Sequence, residues 1–343
     1  MKINLKIFLA LLVILIFAGF FAKGKFTSPL KQAIEPKITQ PSYSKVNLAV
    51  QHMARQIPAI VALKKGFYKK YQLEVNYIQV PKNLTSVLVS GKADAAVTSV
   101  NTSLSAAVEN APISWIGTVN NSATRLLVST KEINEIKTVG IISGVDRVQV
   151  SSLLKFAGAD TTNMTFQQFA DVSAKQIALK GKKIDAITAD KADWTIFKKK
   201  FNLPDEYKIL LDSSVDKKLS LPVGIVVRNE FLKNNQKAAE NLAKALIEAD
   251  YWITKNPEEY RKLLKEEYKK DLPEDYIETH ASVYLETLKG LEFAPSLEKA
   301  QDMQRLVETP DSKNKANDLN NFVNTTISDS LKIEGFLDQF KFD

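Results

Sequence analysis

Short apolar runs alternate with amphipathic segments along most of the chain beyond residue 45. Runs such as residues 46–50 and 93–98 are mostly apolar and have the length of a strand. Between them, segments such as 58–71 have apolar residues three and four positions apart, which is typical of helices. Strands that alternate with helices favour mainly parallel sheets with helices on both faces. The pattern therefore predicts an α/β fold.

The predicted strands end before residue 230, and the remainder of the chain is predicted to be almost entirely helical. We expect strands at 46–50, 74–80, 93–98, 113–119, 125–129, 139–142, 164–169, 184–189, 209–211 and 223–227. The helices expected after the last strand are 237–254, 257–268, 273–288, 296–308 and 315–339.

Two segments share one internal order. Residues 91–99 read GKADAAVTS and residues 181–190 read GKKIDAITAD, so that in both a glycine ends a helix and an aspartate opens a buried strand. One interpretation is coincidence, because the βαβ unit is common. The other is that the chain contains two similar α/β lobes with one such unit in each, and this is the interpretation that we adopt.

The first 44 residues differ from the rest. Lys2 and Lys6 precede an uncharged apolar stretch at residues 7–22, which indicates a signal peptide or signal-anchor that exports the rest of the chain. Cleavage after Ala22 would place Phe20 at the −3 position, where a small residue is preferred, and this favours an uncleaved anchor. Residues 23–44 contain three prolines among polar residues and are predicted to be a linker.

Composition excludes several classes of function. The formal net charge is +8, but the 41 lysines are scattered and only 6 arginines occur, which argues against nucleic-acid binding. The chain has no cysteine, which excludes disulfides, thiolate metal sites, a cysteine nucleophile and lipid attachment to cysteine. With only two histidines, a histidine-rich metal site is not expected, and we predict no metal and no cofactor.

Several motifs, taken in order, resemble one family. They are VNLAVQHMARQIPAIVALKKGFYKKYQLEVNYIQV from residue 46, LVSGKADAAVTSVNTSLSAAVENAPISWIG from residue 88, KTVGIISGVDRVQVSSLLKFAG from residue 137 and KGKKIDAITAD from residue 180. Over roughly residues 45–290 the chain is similar to the substrate-binding proteins of ABC importers for nitrate, sulfonate, taurine and thiamine-pyrimidine precursors. The turn at residues 144–147 and the segment 189–191 depart from the family pattern, which leaves the solute open.

The resemblance implies a two-lobe, type II periplasmic-binding-protein fold. Lobe 1 would comprise residues 45–127 and 222–343, and lobe 2 would comprise residues 128–221. Extended crossings near 126–130 and 220–224 would form a hinge, and solute in the cleft would hold the lobes closed. The protein would be an extracytoplasmic, monomeric receptor that delivers a small anionic solute to a membrane permease.

Other functions stay open. The resemblance also allows a thiamine-pyrimidine precursor as the solute, or an enzyme on the same fold that makes this pyrimidine. The absence of cysteine argues against that enzyme and against desulfinases of this fold, and the sequence has no nucleophile–base pair. A membrane-anchored sensory domain that only reports the solute is a third interpretation.

The expected binding loops are those that follow parallel strands, because ligands bind beyond the carboxyl ends of such strands. These loops lie at residues 51–55, 98–101, 143–147 and 188–190. Free N–H groups at helix N-termini suit an anionic group. The candidate ligand-binding residues are Gln51, His52, Thr98, Ser99, Asn101, Ser143, Gly144, Arg147, Asp190 and Trp194.

Each candidate also has a purely structural interpretation. Arg147 lies at a helix start where the dipole disfavours a cation, which suggests a bound anion, but it could instead pair with Asp146 or be solvated. Ser99 and Asn101 could simply cap a helix. Trp194 could stack on a ligand ring, and Asp190 could bind a ligand amine or orient Arg147.

Overall fold

The computed structural model describes residues 43–342 except 52–55, 81–82, 122–124, 143, 214–218, 220, 271 and 308–318. The predicted export segment and nearly all of the predicted linker lie outside this part. Its strands are β1 Ser44–Val50, β2 Leu73–Gln79, β3 Ala95–Ser99, β4 Ile113–Asn120, β5 Leu126–Ser129, β6 Thr138–Ile141, β7 Thr165–Gln168, β8 Ala186–Ala189, β9 Lys208–Asp212 and β10 Val223–Arg228.

The α-helices of the described part pack around these strands. They are α1 Ile57–Lys64, α2 Phe67–Lys70, α3 Leu84–Val89, α4 Val100–Val108, α5 Gly144–Phe156, α6 Val172–Lys180, α7 Lys191–Lys200, α8 Asn229–Asn234, α9 Gln236–Lys255, α10 Pro257–Tyr268, α11 Glu274–Leu288, α12 Leu297–Val307 and α13 Thr326–Ile333. Among the described residues no helix is both long and apolar enough to cross a membrane.

The strands form two five-stranded mixed sheets, which confirms the α/β fold. One has the order β2-β1-β3-β10-β4 and the other β7-β6-β8-β5-β9. In each, the first three strands are parallel, and the crossing strand, β10 or β5, runs antiparallel to its neighbour. The two sheets therefore have the same topology, and we call them the sheets of lobe 1 and lobe 2.

The repeated aspartate has one structural role in both lobes. Asp94 precedes β3 and accepts hydrogen bonds from the backbone N and Nδ2 of Asn47 on β1, at 2.9 and 3.0 Å. Asp185 precedes β8 and accepts from the backbone N and Oγ1 of Thr138 on β6, at 2.8 and 3.0 Å. Each carboxylate thus joins the start of its own strand to the neighbouring parallel strand, which explains why the sequence pattern recurs.

The core also follows the two sheets. Lobe 1 and the C-terminal helices share one large apolar cluster. Lobe 2 has two smaller clusters, because alternate residues of a strand face opposite sides of the sheet. In β5, for example, Leu126 and Val128 belong to one cluster and Leu127 to the other.

Three expected elements differ from the structure. The first crossing is not at 126–130, because β5 pairs there with both β8 and β9, and the chain crosses at 121–125 instead. The single helix expected at 58–71 is divided into α1 and α2 by Gly66, whose φ of 76° lies in the left-handed region. Within the long helix expected at 315–339, the described α-helix is only α13.

Candidate functional site

The hydrogen-bonding register places the carboxyl edges of the two sheets against the same crossings. The last residue of β3, Ser99, pairs with Val223, the first residue of β10. The last residue of β8, Ala189, pairs with Leu126, the first residue of β5. Only residues 121–125 join the end of β4 to the start of β5. A fully extended chain of this length spans about 20 Å, so these two strand ends are no farther apart than that. The strand ends that carry the predicted loops therefore face one interlobe cleft.

On the lobe 1 side, buried polar side chains surround the start of α4. Thr98 is buried in β3, and Ser99 precedes α4 without a side-chain capping hydrogen bond. Asn101 in the first turn is 5% exposed, and its Oδ1 has no hydrogen-bond partner among the described residues. Capping by Ser99 is thus not observed, and a buried acceptor is left at the helix start.

At the end of β1, Gln51 is half-buried. Its backbone N donates to Oε1 of the buried Gln56, which fixes the chain just before α1. His52 lies outside the described residues. The predicted roles of Gln51 and His52 toward a ligand therefore stay predictions.

On the lobe 2 side, Asp190 and Arg125 meet at the crossings. Asp190 Oδ1 accepts from the backbone N of Ala192 at 3.0 Å and so caps α7. Its Oδ2 lies 3.7 Å from Nη1 of Arg125. The backbone N of Arg125 donates to Oγ of Ser213 at 2.7 Å, which connects the first crossing to the end of β9. Asp190 therefore orients Arg125, whereas the sequence suggested Arg147.

A buried ion pair lies beneath the start of α5. Lys175 of α6 is 3% exposed, and its Nζ lies 3.1 Å from Oδ2 of Asp146. Thr188 donates to Oδ1 of Asp146 at 2.9 Å, and the backbone N of Ile142 donates to Oδ2 at 2.8 Å. Burial lowers the pKa of Lys175, although Asp146 acts in the opposite direction. This network ties the α5 turn to the ends of β6 and β8.

Arg147 does not take part in that network. It is exposed on α5, and its guanidinium carbon lies 4.9 Å from the centre of the Phe166 ring. Ser143 lies outside the described residues, and Gly144 is the first residue of α5. The expectation that Ser143, Gly144 and Arg147 hold an anion stays a prediction.

Trp194 lies in the core of lobe 2. It is 2% exposed, and its ring lies 5.8 Å from that of Phe197 and 6.3 Å from that of Tyr207. In this conformation its faces are covered by other side chains and cannot stack on a ligand. Its Nε1 has no hydrogen-bond partner among the described residues.

One turn after Asp190, Asp193 faces helix α11. Burial raises the pKa of Asp193, and the nearby charge of Asp190 raises it further. Tyr276 of α11 hydrogen-bonds to this carboxyl group, and His280 and Arg125 favour its charged form. Asp193 thus connects the start of α7 to α11 through Tyr276.

A cavity of about 480 Å³ opens beside the crossings. Its lining includes Asn121 and Pro222 from the crossings and Lys191 from the start of α7. Residues of the C-terminal part complete it, including Glu286 of α11 and Asp302 of α12. The cavity therefore lies beside the crossings with α11 and α12 as one wall, and Lys191 is the lining residue that lobe 2 contributes.

Arg125, Lys175 and the C-terminal wall were not among the residues that the sequence singled out. Arg125 carried a usable signal, because arginine is scarce and this one directly precedes the crossing expected at 126–130. No sequence signal identified Lys175, because α6 buries this lysine and exposes Ile177, whereas an apolar residue is ordinarily the buried one. Within the described part, no group of three histidine or acidic residues could hold a metal ion.

The comparisons with solved structures agree with this architecture. The chain is 14% identical to a protein assigned as the periplasmic sulfonate-binding SsuA of Methylobacillus flagellatus, covering 89% of this chain and 98% of that chain at a TM-score of 0.65. It is 15% identical to the periplasmic aliphatic sulphonate binding protein SsuA of Escherichia coli, covering 78% and 86% at 0.62. It is 15% identical to the periplasmic nitrate-binding protein NrtA of Synechocystis, covering 88% and 91% at 0.59.

The two sheets, their shared topology and the cleft between their carboxyl edges define a protein with the periplasmic-binding-protein fold. The chain belongs to the NMT1/THI5-like family, whose family model matches residues 54–260. This confirms the resemblance found in the sequence. No curated protein sequence matches the chain significantly.

Proposed function

We propose that this protein is the extracytoplasmic solute-binding receptor of an ABC importer, and that it binds a small anionic solute between its lobes. Residues 1–22 would export it or anchor it to the membrane, and a membrane permease would accept the solute. It would act as a monomer and without catalysis. The named sulfonate- and nitrate-binding neighbours, which are binding proteins, support this proposal.

The observation that carries the proposal is the convergence of the two carboxyl edges on one cleft. The starts of α4 and α7 both follow strands at these edges, and helix N-termini favour anions. Asn101 adds, beside one of them, a buried oxygen that has no hydrogen-bond partner in the described part of the chain. A solute could therefore be bound by both lobes at once, which is the requirement for closing a hinge.

Arg125 is the cation that we propose for the anionic group of the solute. It lies at the crossing between the lobes with a side chain 28% exposed, and among the described residues Asp190 is the one whose carboxylate lies within 4 Å of it. A guanidinium can bind a sulfonate, nitrate or carboxylate through two N–H groups at once. Arg147 is the alternative cation, at the α5 turn.

The test begins with protein purified without refolding. Native mass spectrometry identifies any solute that remains bound, and calorimetric titration then compares methanesulfonate, nitrate and an aminopyrimidine as probes. Saturable binding of an anionic probe supports the proposal. Binding of the aminopyrimidine alone contradicts an anionic solute, and the absence of any bound solute or binding contradicts the receptor function for these classes.

Three arginine variants locate the anion. Arg125→Gln should weaken binding of the anionic probe about 10- to 150-fold, because a charge-assisted hydrogen bond contributes about 1.5–3 kcal/mol. Arg305→Gln, at a largely exposed arginine of α12, is the matched control and should leave affinity unchanged. If Arg147→Gln weakens binding and Arg125→Gln does not, the anion meets the α5 turn instead. A cationic heterocycle would instead depend on the carboxylate of Asp190, so that Asp190→Asn would weaken its binding.

A further inference from the structure

The C-terminal helices contact both lobes, although their own core belongs to lobe 1. Helix α11 packs against α7 of lobe 2, and α12 packs against both α4 of lobe 1 and α5 of lobe 2. Lys191 at the start of α7 and Glu286 on α11 form an ion pair with an N···O distance of 3.3 Å. The two lobes are thus joined by these helices as well as by the crossings.

This segment is firmly attached to lobe 1. Tyr284 of α11 donates to Asp250 of α9 at 2.6 Å and accepts from Nδ2 of Asn120 at 3.1 Å. Between α11 and α12, the carbonyl of Phe293 accepts from the backbone N of Thr118 on β4 at 2.7 Å. Its ring occupies the space where a side chain at residue 117 would lie, so Gly117 is required for this contact.

The same segment closes one side of the interlobe cavity. Glu286, Lys299 and Asp302 line the cavity opposite Asn121 and Pro222 of the crossings. Helix α12 bridges α4 and α5, which are the helices that follow β3 and β6 at the cleft. Helix α12 therefore contacts both lobes and at the same time forms part of the cavity wall.

We propose that residues 274–307 form a strap that joins the lobes and that α12 is the gate of the interlobe cavity. The strap lies beyond the family match, which ends at residue 260. Lobe 1 anchors the first half of the strap through Tyr284 and Phe293, whereas α12 is held by Ala300 and Met303, which are buried in the lobe 1 core and must leave it when the gate opens. This gate goes beyond the proposed function, since it needs no particular solute.

The test uses the absence of cysteine from the chain. Thr118→Cys places one thiol in the cavity wall, at a residue that is 6% exposed. Its rate of modification by a maleimide, without any solute, reports how often the cavity opens. A thiol at Ser129, which is fully buried in lobe 2, reports global unfolding in a parallel protein.

Two further substitutions separate the gate from general destabilisation. Met303→Ala truncates a fully buried side chain of α12, whereas Leu331→Ala truncates an equally buried one of α13, which packs on α9 and β4 of lobe 1. Met303→Ala should accelerate labelling of the Thr118→Cys thiol at least tenfold and leave the Ser129→Cys thiol protected. Leu331→Ala should accelerate neither labelling rate by more than twofold.

Either of two results overturns the gate. One is a labelling rate at Thr118→Cys that changes less than twofold in Met303→Ala and also in Ala300→Asp, which places a charge at a second buried position of α12. The other is an equal acceleration by Leu331→Ala, which would assign the opening to general loosening of lobe 1. Neither result affects the titrations that test the proposed function, since no solute is present.

Discussion

Replacing Asp185 by asparagine tests the account of the repeated aspartate quantitatively. The carboxylate accepts hydrogen bonds from the backbone N of Lys137 and the backbone N and Oγ1 of Thr138, and it lies 2.7 Å from Nζ of Lys131. Burial alone would raise its pKa, but these partners outweigh burial and lower it from 3.8 to about 2. The charged carboxylate of Asp185 therefore stabilises the folded state.

The size of the effect follows from the two pKa values. Each pKa unit corresponds to about 1.4 kcal/mol, so lowering the pKa of Asp185 from 3.8 to about 2 stabilises the folded state by about 2.4 kcal/mol at pH 7. Because the folded-state pKa is the lower one, this stabilisation is complete above the unfolded pKa and is lost as the pH falls. It decreases to about half at pH 3 and nearly disappears at pH 2.

Urea unfolding at several pH values measures this contribution. Asp185→Asn should lower the free energy of unfolding by about 2 kcal/mol at pH 7, and the difference from the unsubstituted protein should halve by about pH 3. Asp205→Asn, at a fully exposed aspartate of the same lobe, is the matched control and should change stability by less than about 0.5 kcal/mol. A loss below about 0.5 kcal/mol at pH 7, or one that does not diminish in acid, would refute the reasoning.

Three further substitutions probe the buried polar groups and the strap. Burial raises the pKa of Asp250 well above its ordinary value, so the unsubstituted protein should lose stability as the pH rises above about 4. Asp250→Asn removes the titrating group, and melting curves from about pH 4 to 8 should therefore show a smaller loss of stability for this variant. Gly117→Ala should cost about 1–3 kcal/mol in urea unfolding, because the added carbon would lie 2.1 Å from the Phe293 ring; a neutral result would contradict the tight contact. Lys175→Met should cost about 3–5 kcal/mol by leaving Asp146 buried without its cation, and the double variant Lys175→Met/Asp146→Leu should recover part of this loss.

The fold was predictable from the sequence because its signals are local and repeated. Short apolar runs indicated the strands, and the aspartate that opens β3 and β8 indicated the two similar lobes. The register explains why this signal was reliable: Asp94 and Asp185 each join two neighbouring parallel strands. Element ends were less predictable, since the pairing with β10 places β3 at Ala95–Ser99, whereas composition indicated a strand at 93–98.

The candidate site was predictable in its place but less so in its residues. The rule for parallel strands identified the correct edge of each sheet, where Thr98, Asn101 and Asp190 lie. It could not show that Asp190 pairs with Arg125, because that contact depends on how residues 121–125 cross between lobes. It also could not show that Trp194 packs into the core. Trp194 lies one helical turn after Asp190, and the sequence does not show whether a side chain there faces the cleft or the core.

The division between the shared family region and the C-terminal strap bears on how the solute is selected. Of the described strands, all but β1 lie within residues 54–260, which is the part that the family match covers. The cavity, however, takes one wall from Glu286, Lys299 and Asp302, beyond that region. Relatives can therefore share both sheets and the helix N-termini of the cleft and still differ in the charges that face the solute. A common fold at 14–15% identity therefore shows the architecture alone, and under the proposed function the choice of solute would depend on the crossings and on the strap.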